Sequence, residues 1–69
     1  MKSDNFMSLG NRIKIARENS GFTQPKLAKM VGKTANTLRR YEQDEVSPSV
    51  ETVKKIAEAT GLDLIKLLG

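Results

Sequence analysis

The segment that decides the fold spans residues 21–42 and reads GFTQPKLAKMVGKTANTLRRYE. Apolar residues recur in it at helical spacing, which predicts one short helix over about residues 24–31 and a second over about 35–43. Only Gly32 and Lys33 separate the two helices, and a glycine-containing turn this short makes two helices cross at about 90–120°. The side chains then left on the outer face of the second helix are Ala35, Asn36, Thr37, Arg39, Arg40 and Gln43.

Three further helices are predicted around this pair. The first begins at Leu9 and ends before Gly21, a residue that suits the left-handed position closing a helix. A polar loop over residues 43–48 separates the pair from a fourth helix, which runs through residues 50–59. A last, very apolar helix is expected over residues 62–68. Because no strand-like alternation of any length is found, the fold class is expected to be all-α.

The predicted helices are individually too short to be stable in water, so they must share one core. We therefore expect one compact five-helix domain over residues 9–69, preceded by a loose N-terminal tail over residues 1–8, which show no periodicity. The core is expected to comprise Ile13, Ala16, Phe22, Leu27, Ala28, Val31, Leu38, Tyr41, Val53, Ile56, Ala57, Leu62, Ile65 and Leu68.

The composition of the 69-residue chain argues against several kinds of chemistry. It contains no cysteine and no histidine, which removes disulfides, thiolate nucleophiles, zinc-finger ligands and imidazole acid–base catalysis. Its eight acidic residues show no metal-ligand spacing, and the sequence has no glycine-rich phosphate loop and no apolar run that could span a bilayer. We expect a protein that is not an enzyme, with no catalytic residue, metal, cofactor, membrane partner or small-molecule ligand.

Positive charge is concentrated in the first part of the chain. Residues 1–40 hold nine Lys or Arg residues against two acids, a net charge of +7, whereas residues 41–69 hold three against six, a net charge of −3. A one-sided basic field of this kind is expected of a nucleic-acid-binding domain. Small basic domains also bind acidic proteins or anionic lipids, so charge alone leaves those partners open.

A set of residues between Gly10 and Leu68 carries a family resemblance. The set comprises Ile13, Arg17, Gly21, Phe22, Thr23, Gln24, Leu27, Ala28, Val31, Gly32, Leu38, Tyr41, Glu42, Pro48, Ser49, Ile56, Ala57, Gly61, Leu62, Leu67 and Leu68. In this order and at these spacings, the residues resemble the phage-repressor-type (Xre/Cro) helix-turn-helix family. The resemblance implies a lambda-repressor-like DNA-binding domain that covers nearly the whole chain.

The resemblance implies base reading by the second helix of the pair. In this family that helix lies in the major groove, with its N-terminal residues at the base edges. The matching positions here are Ala35, Asn36 and Arg40, with Arg39 beside them. Asn36 and Arg40 are four residues apart and share one face of the helix. Asparagine can bond adenine N6 and N7, and arginine can bond guanine O6 and N7, whereas alanine can only contact a thymine methyl group.

The resemblance also implies contacts to the DNA backbone at the start of the first helix of the pair. Thr23 and Gln24 match that site, and a helix N-terminus with free N–H groups suits a phosphate. Pro25 departs from the acidic or small residue usual there and removes one N–H group, so either Thr23 or Gln24 can be the capping residue. Further phosphate contacts are expected, by position, from Lys29, Lys33, Thr37 and Gln43.

Arg17 and Glu42 match a pair that members of this family often form between the first and third helices. We expect a structural ion pair here rather than direct contact of Arg17 with DNA. Breaking a buried ion pair costs roughly 3–5 kcal/mol, so the pair is expected to matter for stability.

A homodimer is expected because a single reading helix covers only about half a turn of the groove. Repressors of this family dimerise and read two half-sites about 34 Å apart. Residues 62–68 hold more apolar side chains than one face of a short helix can bury, which indicates either a self-association patch or a core plug with some exposed leucine. The predicted interface comprises Val46, Pro48, Leu64 and Leu67.

The function expected from these features is sequence-specific binding of a double-stranded DNA operator by a transcriptional regulator that acts as a repressor. The alternative is a protein–protein adaptor of the same fold in the transcription machinery, although an adaptor needs no base-reading side chains. A phage or plasmid repressor, a restriction–modification controller protein, an antitoxin and the DNA-binding part of a longer regulator all fit this length. We expect the protein to be bacterial or phage-encoded, cytoplasmic and nucleoid-associated.

Overall fold

A computed structural model describes residues 7–69, which form five helices and no strand. The helices are α1 (Leu9–Asn19), α2 (Gln24–Met30), α3 (Ala35–Glu42), α4 (Val50–Thr60) and α5 (Leu64–Leu68). The predicted all-α, five-helix fold class is therefore confirmed. The first six residues of the predicted tail lie outside the described residues, whereas Ser8 is the N-cap of α1.

Each of the five helices begins at a polar side chain that accepts a hydrogen bond from a backbone N–H of its first turn. Such a cap satisfies one of the N–H groups that lack a partner within the helix. Thr23, and not Gln24, caps α2, because its hydroxyl oxygen accepts from the N–H of Lys26 at 3.2 Å. The other four caps are Ser8, Thr34, Ser49 and Asp63. The capping chemistry therefore fixes where every described helix starts.

Helices α2 and α3 both end in the same backbone motif. After α2, Gly32 adopts φ 75°, and the N–H of Lys33 donates to the carbonyl of Ala28 at 2.8 Å. After α3, Asp44 adopts φ 60°, and the N–H of Glu45 donates to the carbonyl of Arg40 at 2.9 Å. This Schellman arrangement favours glycine, but a short polar side chain such as that of aspartate tolerates the left-handed conformation.

One hydrophobic core joins the five helices. Its buried members are Ile13, Ala16, Leu27, Ala28, Val31, Leu38, Tyr41, Val53, Ile56, Ala57 and Leu67, with Phe22 and Leu62 half-buried against them. Ten of the predicted core residues, Ile13 through Ala57 in that list, are therefore buried as expected.

The last helix turns a different face inward from the one predicted. Ile65 is 75% exposed and Leu68 is 54% exposed, so both were wrongly placed in the core, whereas Leu67 is fully buried. The reason is that Asp63 caps α5, so the helix starts at Leu64 and packs its Leu64 and Leu67 side against α1 and α4. Leu62 then precedes the helix and reaches the core from the connecting turn.

The start of α1 lies directly against the end of α3. The N–H of Gly10 donates to the Asp44 carboxylate oxygen Oδ1 at 3.0 Å. A Cβ atom at residue 10 would lie 2.5 Å from the carbonyl oxygen of Tyr41 and 2.6 Å from that of Glu42. Because these are backbone atoms, a side chain cannot be accommodated unless the helices separate, and glycine is required at this crossing.

Gly10→Ala should therefore destabilise the domain. Overpacking of this kind costs about 1–3 kcal/mol of unfolding free energy, which outweighs the gain in helix propensity of up to about 1 kcal/mol. Thermal unfolding followed by circular dichroism measures the effect. Asn11→Ala, at the exposed neighbouring position, is the control and should leave the Tm unchanged or raise it. A Gly10→Ala variant with the wild-type Tm would contradict the close approach of α1 and α3.

Candidate nucleic-acid interface

The carboxylate of Glu42 joins three helices behind the outer face of α3. Arg17 of α1 donates from Nε to Oε2 at 2.7 Å and from Nη2 to Oε1 at 3.2 Å. Gln24 of α2 donates from Nε2 to Oε1 at 3.0 Å. The Glu42 side chain is 3% exposed, so its charge is compensated inside the protein. The ion pair expected between Arg17 and Glu42 is thus present, and it faces inward.

Gln24 lies in a different environment from the one expected for a phosphate contact. Gln24 is half-buried, and one of the two hydrogens of its side-chain amide is already donated to Glu42. At the start of α2, Pro25 has no N–H, and the N–H of Lys26 is donated to Thr23. The N-terminus of α2 therefore presents fewer free donors to an anion than a helix start usually does.

The predicted base-reading residues lie on the outer face of α3. Leu38, Tyr41 and Glu42 face inward and are buried, which turns the opposite side of this short helix outward. On that side Asn36 and Arg40 are exposed. Of the other side chains predicted for this surface, Ala35, Thr37 and Arg39 are half-buried and Gln43 is exposed.

The polar side chains of this outer face are bonded to one another through Arg39. Its guanidinium donates to Oδ1 of Asn36 from Nε at 3.3 Å and from Nη2 at 3.0 Å. It also donates from Nη1 to Oε1 of Gln43 at 3.0 Å. Glu45 lies 3.5 Å from both arginines, with Oε2 near Arg39 Nη1 and Oε1 near Arg40 Nε. The four residues around Arg39 therefore form one connected network on the surface of α3.

Sequence reasoning missed Glu45 as a member of this surface. The residue lies beyond the predicted end of the helix, where only a loop was expected. Its carboxylate reaches back because Asp44 adopts the left-handed conformation and the chain reverses there. Non-glycine residues rarely take this conformation, so the sequence carried little signal for it.

Four more of the predicted phosphate contacts lie on α2, on α3 and in the turns beside α2. Lys29 and Lys33 are exposed, as is Thr23. The hydroxyl oxygen of Thr23 accepts from Lys26, which leaves its O–H hydrogen able to donate outward. Thr37 is half-buried, and its side chain is paired with the hydroxyl of Thr34 at 3.0 Å.

Lys14 and Asn11 are two further polar residues that the sequence did not single out. They line a polar groove of about 430 Å³ together with Gln24 of α2, Glu42 of α3, and Gln43 and Asp44 just after α3. A signal for Lys14 was available, because it lies three residues before Arg17 and so shares that face of α1. Both residues are exposed.

The four residues predicted to form a dimer interface differ in how deeply they are buried. Val46, Pro48 and Leu64 are half-buried, and Val46 and Leu64 pack against the core. Leu67 is fully buried, so its assignment to an interface is wrong, because no surface of its side chain is left for a second copy.

No helix within residues 7–69 has both the length and the apolar character needed to cross a membrane.

Comparison with known proteins shows similarity to helix-turn-helix transcriptional regulators. A family model described as "Helix-turn-helix" matches residues 13–67. The chain is 36% identical over 63 residues to the HTH-type transcriptional regulator ImmR of Bacillus subtilis (strain 168), covering 91% of this chain and 50% of the relative. It is 32% identical over 63 residues to the immunity repressor protein of Bacillus phage phi105, covering 91% and 44%. The chain thus spans half or less of the length of these curated relatives.

The fold also matches a solved repressor. The P22 c2 repressor protein, crystallised in complex with a synthetic operator, superposes with a TM-score of 0.80 at 28% sequence identity. The match covers 87% of this chain and 91% of that chain.

Glu42→Ala should strongly destabilise the domain, because it leaves the Arg17 guanidinium nearly buried and without its main partner. The expected loss of unfolding free energy is about 3–5 kcal/mol, a large part of the roughly 5–15 kcal/mol typical of a folded protein. Thermal or urea unfolding measures it. Glu58→Ala, at an exposed position of α4, is the matched control. If Glu42→Ala melted at the wild-type temperature, the ion pair would carry no structural role.

Proposed function

The chain belongs to the phage-repressor-type (Xre/Cro) helix-turn-helix family, and on this premise we propose that it is a sequence-specific DNA-binding transcriptional regulator. It places α3 in the major groove of a palindromic operator and represses transcription by occupying that site. The observation that carries the proposal is the outward placement of Asn36, Arg39 and Arg40 on a helix whose opposite side is locked into the core. The operator complex of the similar P22 c2 repressor supports a double-stranded DNA partner.

Base recognition is assigned to the outer face of α3. Arg40 is exposed and can donate two hydrogen bonds to guanine O6 and N7. Asn36 lies one turn before it and reaches the same groove. Ala35 supplies an apolar contact for a thymine methyl group, and Arg39 lies between the two reading positions along the chain.

Backbone contacts are assigned to residues that flank this face. Lys29 and Lys33 supply positive charge, and Thr23 supplies a hydroxyl donor. Such contacts fix the register of a protein on the duplex without reading its sequence. The remaining candidates are Gln24, Thr37, Gln43, Lys14 and Asn11, of which Gln24 and Thr37 are partly engaged within the protein.

A homodimer follows from the symmetry of the proposed operator, because one reading helix covers only part of a helical turn. Exposed apolar side chains that suit self-association are found on α5, where Ile65 and Leu68 face outward. They replace Leu67 in the proposed interface, which retains Val46, Pro48 and Leu64. Burying such side chains between two copies removes apolar surface from water and stabilises the pair.

The protein is proposed to act by occupancy of DNA in the bacterial cytoplasm rather than by catalysis, since the relatives it matches are transcriptional regulators and repressors. An adaptor function within the transcription machinery is less well supported. Asn36 and Arg40 have no structural partner within the core, and an adaptor has no use for them as a base-reading pair.

Selection of bound duplexes from a random DNA pool tests the proposed function. At about 150 mM salt, where non-specific electrostatic binding is weakened, we expect enrichment of a two-fold-symmetric site. Its half-sites should lie about 34 Å apart, one helical turn of DNA. No enrichment by the folded protein would contradict sequence-specific binding.

Arg40→Ala should relax base preference at one position of each half-site. The expected loss of discrimination is about 1–3 kcal/mol at that position, with most non-specific binding retained. Competition binding against operators with single base changes measures it. Lys55→Ala, an exposed cation on α4, is the control and should leave all preferences intact. An unchanged preference in Arg40→Ala would remove Arg40 from the reading set.

Lys29→Ala should weaken binding to every DNA sequence by a similar factor. Because one phosphate contact is lost, the slope of log K against log salt concentration should become shallower by about 1. Fluorescence anisotropy of a labelled duplex at several salt concentrations gives the slope. The same substitution at Lys55 should not change it. A wild-type slope in Lys29→Ala would place Lys29 away from the DNA.

A further inference from the structure

The outer face of α3 contains an asparagine whose amide is oriented by a neighbouring arginine. Both Nε and Nη2 of Arg39 donate to Oδ1 of Asn36, at 3.3 and 3.0 Å. A guanidinium carries only donors, so the group of Asn36 that faces it must be the amide oxygen. The Asn36 amide nitrogen, with its two hydrogens, is therefore the group turned away from Arg39.

The orienting arginine is itself held at several points. Its Nη1 donates to Gln43 Oε1 at 3.0 Å and lies 3.5 Å from a carboxylate oxygen of Glu45. Glu45 is fixed by its own N–H, which donates to the Arg40 carbonyl at 2.9 Å. Exposed ion pairs are individually weak, but here three partners, Asn36, Gln43 and Glu45, contact one planar group with a fixed donor geometry.

This orientation limits what Asn36 can recognise. A bidentate contact with adenine uses the asparagine oxygen to accept from N6–H and its nitrogen to donate to N7. With two N–H groups of Arg39 on Oδ1, both lone pairs of that oxygen are occupied. Asn36 is then a donor only, and so is Arg40. Guanine offers two adjacent acceptors in the major groove, O6 and N7, whereas cytosine offers a donor.

We propose that Arg39 is a positioning residue that fixes Asn36 as a hydrogen-bond donor, so that the half-site carries guanine rather than adenine at the position Asn36 reads. The inference rests on the proposed function and names the class of operator that it requires. Asn36 and Arg40 then both face base edges rich in acceptors. A half-site with guanine at both positions accepts hydrogen bonds from both side chains.

Selections from a random duplex pool with three proteins test this assignment. Asn36→Ala identifies the base pair that Asn36 reads, because base preference should be lost at that position of the half-site. The wild type should select guanine at that position. In Arg39→Ala the freed amide can rotate and use both of its groups, so preference should shift toward adenine by roughly fivefold or more. Loss of the arginine charge weakens binding to all sequences alike and leaves this ratio unaffected.

Two further variants are compared, the first as a control and the second as a milder perturbation of Arg39. Lys55→Ala removes one exposed positive charge from α4 and should keep the guanine preference. Glu45→Gln removes the charge that holds Arg39 while preserving the shape of the side chain, and it should move the ratio in the same direction as Arg39→Ala but by less.

The outcomes separate this inference from the function on which it rests. Wild-type selection of adenine at the Asn36 position would overturn the assignment while leaving operator binding intact. An unchanged preference in Arg39→Ala, with the wild-type Tm, would overturn it as well. If the wild type enriched no site at all, both the proposed function and the positioning role of Arg39 would be contradicted.

Discussion

The buried carboxylate of Glu42 is the interaction on which the arrangement of the helices depends. Removing an ionised carboxylate from water costs several kcal/mol unless its oxygens are fully engaged, and here Arg17 and Gln24 engage both of them. These partners come from α1 and α2, so the charge is satisfied only when all three helices are in place. An eight-residue helix such as α3 has little stability of its own, and this junction gives it a fixed position.

A second attachment holds the same end of α3. The backbone of Gly10 approaches two carbonyl groups of α3 and donates to Asp44 just beyond the helix. With its inner face in the core and its C-terminal end fixed at two places, α3 cannot roll about its axis, and its outward side chains keep their directions. A recognition surface gains precision when it is built on such a rigid element, which is the physical link between this packing and the proposed reading of DNA.

Much of the fold was predictable because polar N-caps and turn glycines mark the ends of helices locally. Thr34 and Ser49 each precede a run of helical periodicity, and both proved to be caps. The last helix was harder to predict, because residues 62–68 carry apolar side chains on more than one face and only the Asp63 cap decides which face turns inward. In the network around Arg39, Asn36 and Gln43 lie at the i−3 and i+4 spacings of helix neighbours, so those contacts could have been predicted. The approach of Glu45 could not, since it depends on a left-handed aspartate.

The outer face of α3, held by the Glu42 junction, is the surface proposed to contact DNA. Mapping of amide chemical shifts in the isotope-labelled protein during titration with an operator duplex tests this most directly. The largest changes should fall on residues 34–40 and on the α2–α3 turn, with the exposed side of α4 around Lys55 unaffected. Changes concentrated on α4 or α5, with α3 unperturbed, would contradict it.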